Sequence, residues 1–104
     1  MVRKYDSKCP VARTLNVIGD RWAILVLRDL FLQGPRRFQD FERSLKGITP
    51  GVLSKRLKEF EAHGVIEGRL YAEHPPRHEY TLTEKGRELR PVLGAMKSWG
   101  ERYG

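Results

Sequence analysis

Apolar residues recur at helical spacing along the first half of the chain. Val11, Leu15 and Ile18 fall at i, i+4 and i+7, which is one face of a helix. Pro10 is pre-set for the first helical position, with Cys9 as its cap and Gly19 as its stop. Asp20 can cap a second helix that runs through Leu32. There Trp22, Ile24, Leu25, Val26, Leu27, Leu30 and Phe31 cover nearly the whole circumference. A helix apolar all round is a buried one, so this segment is expected at the centre of the core. Gly34-Pro35 ends it.

Phe38, Phe41 and Leu45 repeat at i, i+3 and i+7 and predict a third helix of about two turns. Lys46-Gly47-Ile48 is a tight turn. Thr49-Pro50 then supplies an N-cap and a first helical residue, and the fourth helix runs to about His63, with Gly64 as its stop. Its buried stripe is Leu53, Leu57 and Phe60. From Val65 the period changes. Ile66 to Tyr71 and His78 to Leu82 read as two short strands, and the prolines of the intervening AEHPPR predict a loop at a hairpin tip. Thr83 caps a last helix with Glu84 in its first turn, and Pro91 predicts a kink. The stripe of that helix is Leu89, Val92, Leu93, Met96 and Trp99.

This order has a purpose. Two helices joined by a short Gly-containing turn are a helix-turn-helix unit, here about residues 38–63, whose second helix enters the DNA major groove. A hairpin directly after it, about 66–82, makes the unit a winged helix, followed by a helix over about 83–103. The fold class is therefore mainly α with a small β-hairpin wing, in a single domain over residues 1–104. On a wheel of 100° per residue with Leu53 at zero, Leu57 falls near about 40° and Phe60 near about −20°. Gly51, Lys55 and Lys58 then point roughly opposite, with Ser54 and Val52 on the flanks and Arg56 closer to the core edge. A small, hydroxyl-bearing and cationic face suits close approach to bases and phosphates. A solvated helix surface would also be rich in Lys, but it would need neither the turn nor the wing.

Charge supports the same direction. Twenty Lys and Arg against thirteen Asp and Glu leave +7, which favours a polyanionic partner. The excess is spread as +3 over residues 1–34, +3 over 35–66, −1 over 67–82 and +2 over 83–104, so no polybasic tail exists and a site must be folded onto one face. No apolar run approaches the roughly 18 residues of a membrane span, and no signal peptide is evident, so no membrane partner and a cytoplasmic location are expected. One cysteine excludes an internal disulfide. His63, His74 and His78 lack further recognisable ligands, no catalytic constellation or phosphate-binding Gly-rich loop occurs, and neither a metal, a cofactor nor an enzyme activity is expected.

Several ordered pieces together carry a resemblance. They are Cys9-Pro10-Val11, Ile18-Gly19-Asp20-Arg21-Trp22, Arg37-Phe38-Gln39-Asp40-Phe41 and Ile48-Thr49-Pro50-Gly51-Val52-Leu53. Arg56-Leu57, Pro75-Pro76-Arg77-His78-Glu79-Tyr80 and Leu82-Thr83-Glu84-Lys85-Gly86 follow. From residue 9 to about 100 the chain resembles the HxlR-type transcriptional regulators, a winged-helix group similar to the MarR regulators. One departure is Asp20-Arg21, where the family more usually has Gly-Lys before the tryptophan. The resemblance implies a homodimeric bacterial or archaeal regulator that binds double-stranded DNA. Its terminal helices would form the dimer interface, here through Val11 and Leu15 on the first and Leu89, Val92, Leu93, Met96 and Trp99 on the last. It also implies that a cysteine near position 9 senses oxidants or electrophiles in some members.

The candidate DNA contacts are Arg36, Arg37, Thr49, Gly51, Ser54, Lys55, Arg56, Lys58 and Arg77. Arg grips phosphate or guanine with a planar fork, whereas Lys acts as a mobile point charge. Arg56, at the core edge, has a second reading as a partner of Asp40 or Glu59. Arg77 at the wing is a candidate for minor-groove insertion, opposed by Glu73 and Glu79 beside it. Cys9 at a helix's positive end is a candidate redox sensor, and its alternative is an inert thiol. The terminal stripe reads as core or as dimer interface; little of its own domain remains to cover it, and aromatics and Met suit interfaces. The expected function is a homodimeric regulator on a pseudo-palindromic operator, with its effector unidentified. The alternative is a protein–protein module that turns its basic face to an acidic partner; RNA is disfavoured by the narrow A-form major groove.

Overall fold

The computed structural model describes residues 8–104. Helix α1 (Pro10–Ile18) starts at Pro10 with Cys9 as its N-cap, and α2 (Arg21–Gln33) starts where an Asp20 carboxylate oxygen accepts from the Trp22 and Ala23 amides at 2.7 and 3.2 Å. Strand β1 (Arg36–Arg37) and α3 (Phe38–Ser44) follow. Helix α4 (Pro50–Ala62) is capped by Thr49, whose Oγ1 accepts from the Val52 amide at 3.2 Å. The hairpin of β2 (Ile66–Glu73) and β3 (Pro76–Leu82) leads into α5 (Glu84–Arg87) and α6 (Arg90–Tyr103).

The core forms where α2, α3, α4 and the start of β2 meet. Val26, Leu27, Phe41, Leu53, Leu57, Phe60 and Val65 are almost completely shielded from solvent. Each such side chain contributes about 1.5–3 kcal/mol over its exposed state. The apolar pattern of α2 is met by burial of Ala23, Val26, Leu27 and Leu30, with Trp22, Ile24 and Leu25 partly covered.

Three expectations need correction. The sheet has three strands, not two, in the order β1-β3-β2, with Arg36 opposite Tyr80 and Arg37 opposite Glu79. The segment expected to be a loop is mostly ladder: β2 and β3 stay paired out to Glu73 opposite Pro76, leaving His74 and Pro75 as the tip. Pro76 is tolerated because β1 ends at Arg37, opposite Glu79, so nothing on that side of β3 needs its missing N–H. The last helix is two helices, broken at Glu88 and Leu89, with Pro91 in the first turn of α6 where its lost N–H costs nothing.

Helix α6 touches this body along one side, with Leu93 against the core and the Arg90 guanidinium 4.9 Å over the Phe31 ring of α2, and leaves the rest of its surface open. None of its 14 residues is buried. Val92, Met96, Trp99 and Tyr103 are 37, 49, 63 and 64% exposed, and on α1 Val11 is 70% exposed. The radius of gyration, 14.2 Å, exceeds the about 13 Å of a compact chain of this length. Leu89 and Leu93 differ from the rest of their stripe, since they pack partly against the core.

Candidate nucleic-acid interface

The outward face of α4 follows from its stripe. With Leu53, Leu57 and Phe60 fixed in the core, Gly51, Lys55 and Lys58 face solvent. Together with Ser54 and Glu59 they line one shallow open depression that reaches Ala62. Lys55 and Lys58 form none of the chain's ion pairs among the described residues, so both ammonium groups are available to an anion. Thr49 is exposed, but its hydroxyl is engaged in capping.

The arginines divide into two groups. Arg36 is turned inward. Its Nη2 donates to the Asp40 carbonyl at 2.8 Å and lies 3.7 Å from a carboxylate oxygen of Asp29, which is only 4% exposed and also accepts from the Ser44 hydroxyl. The pair ties β1 and α3 to α2. An acid within an apolar helix needs a cation, so Asp29 in the run RDLFL signals a basic partner; it has two, Arg28 at 3.4 Å and Arg36. Arg56 also faces carboxylates, with Nη1 3.0 Å from Glu59 and Nη2 on Asp20. Of the two partners expected for Arg56, Glu59 is present and Asp40 is not; Asp40 instead accepts from the Arg37 amide at 2.9 Å. Arg37 and Arg77 lie on the sheet. The Arg37 guanidinium stacks 4.1 Å over the Tyr71 ring and sits 3.9 Å from Glu79, with about half its side chain exposed. Arg77 is exposed near the wing tip, where it helps to line a groove of about 350 Å³ between the wing and α3.

Asp20 was not among the expected site residues, yet it joins α2 to α4. Partial burial pushes its carboxyl up, but the Arg56 guanidinium and the Ala23 and Trp22 amides outweigh burial and hold it below the ordinary value. Hydrogen bonding to Asp20 raises Arg56 in turn. A carboxyl lowered in the folded state gives stability that is fully present above its ordinary value of about 4 and is lost as pH falls below that, through the lowered folded value. Asp20→Asn keeps an acceptor for the cap and removes the charge facing Arg56. It should cost about 0.5–1 kcal/mol at pH 7, because the carboxylate is partly solvent-screened, and the difference should be smaller at about pH 3. Urea melts at the two pH values check this.

Cys9 is exposed at the start of α1, and its sulfur makes no capping hydrogen bond. No described helix is long and apolar enough to cross a membrane.

Comparison with known proteins gives a consistent picture. The HxlR-like helix-turn-helix family matches residues 17–104. The HTH-type transcriptional regulator YdeP of Bacillus subtilis is 44% identical over 95 residues, covering 91% of this chain and 73% of its own. An HTH-type transcriptional regulator of Methanothermobacter thermautotrophicus is 43% identical over 96 residues, with 92 and 72% covered. Among solved structures, the redox regulator HypR in its oxidized form superposes with a TM-score of 0.83 at 41% identity, over 92% of this chain and 98% of that one.

Proposed function

This chain belongs to the HxlR-like helix-turn-helix family and is a winged-helix transcriptional regulator, and from that premise we propose that it binds double-stranded DNA as a homodimer. Residues 8–104 would act as one domain, with α4 of each protomer in a major groove of a pseudo-palindromic operator. The observation that carries this reading is the outer face of α4, where two lysines outside the ion pairs of the described residues stand with Gly51 opposite the buried stripe and Ser54 lies on the flank. Lys58 supplies a phosphate contact, while Ser54 and Lys55, nearer the helix start, reach base edges. Arg37 and Arg77 extend the contact along the wing. Arg36 and Arg56 serve the interface by anchoring β1 and α4, since their guanidinium groups are held by carboxylates.

The dimer reading rests on α1 and α6, where among the described residues Val11, Leu15, Val92, Met96 and Trp99 leave apolar surface exposed, most of all Val11 at 70% and Trp99 at 63%. Selection from a random duplex library tests the whole reading. The recovered motif should be two-fold symmetric, with half-sites about 10 base pairs apart centre to centre. Recovery of no motif, or of one unsymmetrical half-site, contradicts it.

Regulation through Cys9 has independent support. The structural neighbour HypR is described as a redox regulator, and Cys9 is exposed on the helix proposed to meet the partner protomer. Peroxide or a quinone should shift the operator affinity of the wild-type protein, and Cys9→Ser should show no shift. Equal responses in the two proteins, read by fluorescence anisotropy, would remove Cys9 as the sensor.

A further inference from the structure

Gly51 is the second residue of α4, at the N-terminal end of the proposed contact face. A glycine in a helix is a cost, because it loses more backbone freedom than alanine on folding. Inside this protein nothing asks for it. Its φ is not positive, unlike that of Gly47 at +95°, and a Cβ built on it would meet nothing within 4 Å, unlike Gly86, whose Cβ would run into a backbone carbonyl. Gly94 and Gly100 on α6 share this freedom, but Gly51 differs from them in lying on the proposed contact face of α4, where what it approaches is outside the chain.

The neighbours of Gly51 narrow that reason. Across the outer face it lies in line with Lys55, Lys58 and Ala62, so that line is small at both ends and cationic between them, while Glu59 on its flank is paired with Arg56. A long cation at the helix start would hold the backbone away from whatever α4 approaches. A bare main chain lets that surface come into contact at the end of the helix that enters a groove first.

We propose that Gly51 is a specificity-determining residue, whose lack of a side chain sets how deeply α4 seats in the major groove and so lets Ser54 and Lys55 reach base edges. This rests on the DNA-binding reading above. Contacts with phosphates, which lie further out, tolerate a shallower seat; contacts with base edges do not. Removing the clearance should thus weaken specific binding and leave non-specific binding nearly alone.

The test compares wild-type protein, Gly51→Ala and Gly51→Leu on the duplex selected by the wild type and on a scrambled duplex, together with thermal melts. Gly51→Ala should melt about 2–5 °C higher, since a helix gains and no contact is lost. Its affinity for the selected duplex should fall at least tenfold while that for the scrambled one stays within about twofold, a methyl forced into a packed interface being felt at this level. Gly51→Leu should bind both duplexes alike. If Gly51→Ala keeps wild-type affinity for the selected duplex, or melts lower than wild type, the inference is overturned. If instead the wild-type protein itself prefers no duplex, the DNA-binding reading fails first, before any variant is compared.

Discussion

Trp99→Asp should leave each protomer folded and abolish the dimer at micromolar concentration. Trp99 is 63% exposed and its ring contacts Tyr103 on its own helix, with centroids 5.3 Å apart, so a carboxylate there disturbs no core. In the proposed dimer it would be buried against a second apolar stripe. Stripping a carboxylate of water without a partner costs several kcal/mol, and about 4 kcal/mol is a thousandfold in dimer dissociation. Operator binding should fall with it, since the second half-site no longer binds as an intramolecular event; the loss is about 10²–10⁴-fold. Sedimentation equilibrium gives the mass directly. A variant that remains dimeric at the wild-type dissociation constant would move the interface away from α6.

Gly86→Ala should be the most damaging change to the fold for its size. Gly86 is buried in α5, and a Cβ there would lie 2.1 Å from the Val65 carbonyl oxygen and 3.1 Å from Leu82 Cδ2. That oxygen is already occupied, accepting from the Thr83 amide at 3.0 Å and from the Thr83 hydroxyl at 3.1 Å. It is the point where the end of α4, the wing and α5 are fastened together. Relief requires α5 to move off, which breaks buried hydrogen bonds and opens the packing, at about 3 kcal/mol in all. For a domain of this size the melting temperature should drop by roughly 10–20 °C. Gly94→Ala is the control, because a Cβ on Gly94 meets nothing within 4 Å; it should melt at or above the wild-type temperature. Equal melting temperatures for Gly86→Ala and wild type would mean that the Val65 junction is not rigid.

What the sequence made legible was local. Caps and breakers act within a few residues, so Cys9-Pro10, Asp20, Gly34-Pro35, Thr49-Pro50 and Thr83 marked the helix ends that the structure has. The outer face of α4 was legible too, because a buried stripe of three large residues fixes the opposite side by geometry alone. Strand β1 was not. Two arginines have no period, and their extended form depends on Tyr80 and Glu79, more than 40 residues away in sequence. The Asp20–Arg56 pair escaped for the same reason, since Asp20 announces itself fully as a helix cap and its second oxygen has no sequence signature. Arg36 and Arg37 looked alike in sequence; the fold turns one inward to Asp29 and leaves the other half open beside Tyr71.

If α4 is the helix that meets DNA, its two outward lysines must show in the salt dependence of binding. Affinity for the selected duplex is measured across a range of salt concentrations for wild type, Lys58→Ala and Lys55→Ala. Neither lysine supports the fold, and each substitution occurs twice in a dimer. Lys58→Ala should bind more weakly to selected and scrambled duplexes alike, with the slope of log K against log salt reduced by about 2. Lys55→Ala should lose more on the selected duplex, by about 1–3 kcal/mol for each base contact removed. Wild-type affinity and slope in both variants would mean that α4 turns this face to something other than DNA.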